Sequence, residues 1–122
     1  MNFYTRKLIK PEDLNPRGTL FGGQLLKFID EEAAIYAMCQ LGTKNIVTKL
    51  ISEINFISPA YQGDVIQIGV EPVKFGTTSL TLKVAVVNKD TGKTILEVDK
   101  MVFVSLDDNG KPFPHGKTQQ TI

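Results

Sequence analysis

One stretch of this chain, Gly22 to Leu41, is patterned as a long helix, and most of the chain beyond it is patterned as strand. Apolar residues recur at Leu25, Leu26, Phe28, Ile29, Ala33, Ala34, Ile35, Ala37 and Met38, too wide an arc for a helix covered on a single side. Gly42 stands just past the pattern, where a left-handed stop is expected. A lone helix of this kind must bury its sides against a sheet. The chain is therefore expected to be a two-layer α+β domain.

The strands are read from alternation and punctuation. Residues 3–9 alternate loosely and predict a first strand. Pro11 to Gly18, with two prolines and a glycine, is expected to lack regular structure. Ile46 to Ser58 is rich in β-branched and apolar residues and is closed by Pro59. Gly63-Asp64 marks a turn before a strand that runs from Val65 to about Phe75-Gly76. Leu80, Leu82, Val84 and Val86 alternate with Thr81, Lys83 and Ala85, and Asp90 to Lys93 reads as a hairpin loop before a last strand, Ile95 to Leu106. Residues 111–122 form a polar tail, expected to be loose at its end. A chain of 122 residues holds one core, so 1–122 is read as a single domain without repeat or linker. One sheet around one helix leaves strand edges and a helix flank uncovered, which predicts at least a homodimer.

Several function classes are disfavoured. The formal net charge is +1, so no global charge attracts nucleic acid or a membrane surface. The start of the chain carries no apolar signal core, and no run reaches the ~20 apolar residues that a bilayer demands. The single cysteine, Cys39, permits no internal disulfide; a cytoplasmic protein is expected. Cys39 lies among apolar helix residues and is read as a small core residue. His115, the sole histidine, falls in the polar tail, where it reads as incidental, and no Ser-His-Asp triad can be built on it. No histidine-cysteine-carboxylate cluster predicts a metal, and no glycine pattern predicts a dinucleotide or P-loop site.

Chemistry concentrates at the helix. Gly22 and Gly23 open it, and a helix start offers unpaired N–H groups and the positive end of the dipole to a carbonyl oxygen or anion. Asp30 shares its face with Gly23, Leu26, Ala34, Ala37 and Leu41, a stripe expected to be buried. Glu32, among Leu25, Phe28, Tyr36 and Cys39, is almost as suspect by that test, and helix geometry does not single out Asp30. Glu31 can pair with Lys27 and reads as a solvated acid. Asn15, before a proline, is first of all a turn residue.

In combination, Asn15, Gly18, Phe21-Gly22-Gly23, Ile29-Asp30-Glu31, Asn45-Ile46-Val47-Thr48 and Asn55-Phe56 resemble the acyl-CoA thioesterases of the hot-dog fold. The nearest groups are the small bacterial acyl-CoA hydrolases and their double-domain animal relatives, and the likeness runs from about residue 3 to about residue 114. It implies an antiparallel sheet of about five strands wrapped around one long helix. It also implies that Asp30 is the catalytic acid, as general base on water or as nucleophile. In the double-domain relatives one half carries the asparagine and the other the acid. Asn15 of a partner subunit is thus expected to complete the site of Asp30, with the Gly22 or Gly23 amide as oxyanion donor.

Phe75-Gly76-Thr77-Thr78-Ser79 resembles the family segment that runs along pantetheine and nucleotide, with Arg17, Lys74 and Lys100 as candidate phosphate partners. Coenzyme A would be part of substrate and product, so no separate cofactor is implied. Many relatives have histidine where this chain has Phe21, which bears on specificity at the mouth of the site. The resemblance implies further assembly, with a trimer of dimers favoured. The alternative reading is a hot-dog protein that binds acyl-CoA as a sensor or carrier without hydrolysis; the pairing of Asn15 with Asp30 favours hydrolysis. A hot-dog dehydratase fits less well, because those enzymes rely on a histidine that is absent near this helix.

Overall fold

The computed structural model describes residues 1–118. Five strands, β1 (Asn2–Leu8), β2 (Ile46–Phe56), β3 (Val65–Phe75), β4 (Ser79–Asn88) and β5 (Thr94–Ser105), form one antiparallel sheet in the order β1-β3-β4-β5-β2. Helix α1 (Gly22–Leu41) lies between β1 and β2 in the chain, so it carries the chain from one edge of the sheet to the other. At about 1.5 Å per residue it is roughly 30 Å long, enough to cross all five strands. This is the hot-dog arrangement that the resemblance implies.

Side-chain chemistry explains the layers. Leu25, Ile29, Ala33, Ala37 and Leu41 are buried on the helix. Their spacing of four, with small residues at 33 and 37, gives a stripe that packs closely on the sheet. The alternating Leu80, Leu82, Val84 and Val86 of β4 are all buried, as are Ile66, Ile68 and Val70 of β3 and Leu96, Val98, Met101 and Phe103 of β5. The helix ends where Gly42 turns left-handed at φ 69° and donates its N–H to the Met38 carbonyl at 2.9 Å.

The two edges expose different residues. β1 carries exposed Phe3, Tyr4 and Leu8, and β2 carries exposed Val47, Leu50 and Phe56. Long apolar edges of this kind invite pairing with another chain.

Two expectations need correction. The Pro11–Gly18 segment is not wholly irregular: Pro11–Asp13 forms a 3₁₀ turn, since proline suits the first helical position. The tail, expected to be loose only at its end, is held up to His115. Leu106 bridges Pro112, Phe113 donates its N–H to the Ser105 carbonyl at 2.9 Å, and His115 N–H reaches the Thr77 carbonyl at 3.2 Å. The rest of the predicted tail, 119–122, lies outside the described residues. Cys39 is exposed, not core, because it sits on the flank of α1 away from the buried stripe.

Candidate active site

The loop before the helix is built around Asp13 and Asn15. Asp13, only 2% exposed, accepts the Lys10 N–H at 2.9 Å on one oxygen and the Gln24 side-chain amide at 2.9 Å on the other. Its carbonyl also takes the Phe21 N–H at 2.8 Å, so the loop is tied to the first turn of α1 twice. Burial alone would push the Asp13 carboxyl up. The Lys10 N–H, the Gln24 amide and the charges of Lys10 and Lys27 outweigh it and hold the group below the usual carboxylate value. Asp13 escaped the sequence reading; an acid three residues after Lys10 at a proline turn was its only signal.

Asn15 works in the same loop. Its Oδ1 accepts the Arg17 N–H at 2.9 Å and the Thr19 N–H at 3.2 Å, and its Nδ2 donates to Thr19 Oγ1 at 2.9 Å. The carbonyl oxygen is thus spent on the turn. The second N–H of the side-chain amide makes no hydrogen bond among the described residues. Arg17, on the same turn, is exposed.

Phe21 stands at the N-cap and offers no capping side chain, so the first N–H groups of α1 are not taken up by a cap. Gly22 lies against Phe56: a Cβ there would sit 3.3 Å from the ring. At Gly23 a Cβ would approach the Phe21 ring to 2.9 Å. Glycine is thus what lets both aromatic rings close over the start of the helix. Asn15, Thr19, Gly22, Leu25, Phe56 and Ile57 share one open cleft of about 350 Å³.

Asp30 is half-buried, on the flank of α1 that faces β2, and not on the buried stripe. The predicted stripe is only partly correct: Ala37 and Leu41 are buried, whereas Leu26 and Ala34 are half-buried and Gly23 is exposed. Thr48 Oγ1 donates to Asp30 Oδ1 at 2.9 Å, which leaves Oδ2 without a hydrogen bond among the described residues. The rival acid, Glu32, lies on the other flank, where Thr5 Oγ1 donates to it. Glu31 is exposed, and the expected pair with Lys27 is not made.

Asp30 and the Asn15–Gly22 cleft are not brought together within one chain. Eight residues of helix separate Asp30 from Gly22, about 12 Å. Asp30 meets β2 near its start at Thr48, while Gly22 meets it at its last residue, Phe56.

The Phe75–Ser79 turn joins β3 to β4, closed by the Gly76 N–H on the Ser79 carbonyl at 2.9 Å. A Cβ on Gly76 would meet Ser79 Oγ, so a larger residue there would have to turn the Ser79 side chain. Ser105, itself buried, donates its N–H to the Thr78 carbonyl at 2.8 Å. Lys74 is next to this turn, whereas Lys100 is on β5, paired across from Ser52 and away from it. His115 is not incidental: its ring is half-buried against the same turn, edge-on to Phe75 at 6.3 Å. The sequence carried no sign of that contact, because it joins positions about 40 residues apart.

Among the described residues no three His, Cys, Asp or Glu side chains come together to hold a metal ion, and no helix is long and apolar enough to cross a membrane.

Comparison with known proteins bears on this geometry. Residues 17–95 match the thioesterase superfamily. The acyl-CoA thioester hydrolase YciA of Salmonella typhimurium is 33% identical over 115 residues, covering 89% of this chain and 86% of that protein. The uncharacterized acyl-CoA thioester hydrolase YkhA of Bacillus subtilis is 36% identical over 109 residues; the match covers 85% of this chain and 62% of YkhA. Among solved structures, the hexameric thioesterase y2039 from Yersinia pestis superposes with a TM-score of 0.84 at 29% identity, covering 93% of each chain.

Proposed function

The chain belongs to the thioesterase superfamily, and from that premise we propose that it hydrolyses acyl-CoA to a free carboxylic acid and CoA at a site shared between two subunits. The observation that carries the proposal is the separation of Asp30 from the helix start. A carboxylate with a free oxygen lies at one end of edge strand β2, and a cleft with uncapped helix amides lies at the other. Two copies pairing antiparallel along β2, about a two-fold axis at Ser52, set Thr48 of one opposite Phe56 of the other. Asp30 of one copy then faces the Asn15–Gly22 cleft of its partner, and the dimer has two equivalent sites.

In each site Asp30 takes a proton from water as the oxygen attacks the thioester carbonyl. The Gly22 or Gly23 N–H, aided by the helix dipole, holds the negative charge that develops on the carbonyl oxygen. The second side-chain N–H of Asn15 positions the water or the thioester. Collapse of the intermediate expels the CoA thiolate, which takes up the proton. A direct attack by Asp30 to form a mixed anhydride is the alternative route to the same products. The CoA moiety runs along Phe75–Ser79, with Arg17 and Lys74 within the basic surroundings of its phosphates.

The Yersinia relative is a hexamer, and we extend that to a trimer of β2-paired dimers here. A chain with one exposed thiol and no disulfide suits the reducing cytoplasm.

The test is release of free CoA, followed with a thiol reagent, from short, medium and long acyl-CoAs with wild type and Asp30→Asn. The expected result is turnover in the wild type and a loss of at least about 100-fold in the variant, the usual worth of a general base. Tight acyl-CoA binding with no turnover would replace the hydrolase with the sensor reading. Full turnover in Asp30→Asn would remove Asp30 from its role.

A further inference from the structure

The polar segment beyond β5 is bonded to one turn, Phe75–Ser79. His115 holds three of its residues: the backbone N–H donates to the Thr77 carbonyl at 3.2 Å, the ring Nε2 lies 2.9 Å from the Ser79 carbonyl, and the ring stands edge-on to Phe75. The tautomer is set by the other nitrogen. Lys117 donates its N–H to Nδ1 at 3.0 Å, so Nδ1 accepts and Nε2 carries the proton toward Ser79.

The segment is itself anchored. Ser105 Oγ, buried, donates toward the Phe113 and Thr78 carbonyls. The Lys117 side chain runs to the end of α1, where its Cε lies 3.8 Å from the place a Cβ on Gly42 would take. Turn and segment together border a cleft of about 530 Å³ lined by Lys74 and Lys117 and, among the described residues, by no acidic one. That charge suits a ligand bearing phosphate.

We propose that His115 is a positioning residue for the substrate: it latches the Phe75–Ser79 turn in the shape that receives the nucleotide end of CoA. The inference rests on the acyl-CoA hydrolase activity proposed for this chain. The latch does not touch Asp30: by the sheet register Ser79 lies opposite Val104, which lies opposite Val47, two strand spacings or about 10 Å from the end of β2 that binds Asp30. Loss of the latch therefore weakens binding of the CoA end and leaves the chemical step intact, a change in KM and not in kcat.

The experiment compares wild type, His115→Phe and His115→Gln on two substrates. One is the acyl-CoA that the wild type turns over fastest. The other is the N-acetylcysteamine thioester of the same acyl group, which lacks the nucleotide. Phenylalanine keeps the ring against Phe75 and removes both nitrogens; glutamine restores an amide donor toward Ser79. In His115→Phe the KM for acyl-CoA is expected to rise about fivefold or more, the size of one lost ordering hydrogen bond. Its kcat should hold within about twofold, the truncated substrate should be unaffected, and His115→Gln should recover most of the wild-type KM.

An unchanged KM, an equal rise for both substrates, or a fall in kcat alone overturns the latch. A wild type with no acyl-CoA turnover strikes the activity instead, so the two failures are told apart. Amide hydrogen exchange on the wild type tests the same point should the Phe variant fail to fold. Free CoA should slow exchange in both Gly76–Ser79 and Phe113–Lys117, and exchange unchanged by CoA in either stretch overturns the proposal.

Discussion

Asp13 offers the sharpest test of how the site is built. Replacing it with alanine removes two hydrogen bonds from a carboxylate that is 2% exposed, one from the Lys10 N–H and one from the Gln24 amide. Bonds to a charged acceptor are worth about 1.5–3 kcal/mol each, and the relief of burying a charge offsets part of their loss. The net expectation is a loss of about 2–3 kcal/mol. At this chain length about 1 kcal/mol moves Tm by roughly 4 °C, so the melting point should fall by about 8–12 °C.

Acid supplies the second arm. The folded Asp13 carboxyl lies below its ordinary value of 3.8. Its contribution is therefore whole above the unfolded value and is lost as pH falls through the folded one. Thermal melts by circular dichroism should show a wild-type advantage that is constant near neutrality and shrinks below about pH 4. A Tm within about 2 °C of wild type at neutral pH refutes the ledger of bonds. An advantage that persists undiminished at lower pH refutes the assignment of the charge.

The Tyr36 hydroxyl is buried without a hydrogen-bond partner among the described residues, and burial, with Tyr4 and Glu71 nearby, pushes its pKa up to about 12. Tyr36→Phe should therefore leave stability unchanged or raise it by about 1 kcal/mol in urea unfolding; a clear loss means the hydroxyl is paired in the assembled protein. Ser105→Ala removes the buried hydroxyl between the Thr78 and Phe113 carbonyls and should cost about 1–2 kcal/mol in the same assay, with an unchanged midpoint counting against that bridge. Leu50→Glu puts a charge on the exposed β2 edge and should split the assembly toward monomers in light scattering, with CoA release falling in step. An active monomer sinks the shared site.

How much of the fold was legible in the sequence depends on the range of each interaction. Helix α1 and the alternation of β4 are local patterns of period 3.6 and 2, and both lie where the periodicity predicts them. Gly42 ends the helix because its φ is a property of one residue. Asp13 and His115 depend instead on partners distant in sequence, Gln24 and Ser79, and a composition rule that marks polar stretches as loose has no access to those partners. Cys39 shows a different limit: a helix apolar around much of its circumference does not reveal which flank the sheet covers.

The same limit governs the two acids on the helix. Spacing left Asp30 and Glu32 nearly equivalent, and the structure separates them by what each flank faces. Glu32 faces β1, the other edge strand, where Thr5 donates to it beside Tyr36 and Ile68. Asp30 faces β2, an edge strand whose outer side the chain leaves uncovered. Both acids thus look toward an edge strand, and only pairing along β2 would bring a second copy's groups to Asp30. What separates the two acids is which edge of the sheet β1-β3-β4-β5-β2 each one faces. A catalytic role for Asp30 and pairing along β2 therefore stand or fall together: the helix amides proposed to receive the thioester carbonyl lie about 12 Å away in the same chain, and the two-fold axis proposed near Ser52 would bring the partner's set within reach.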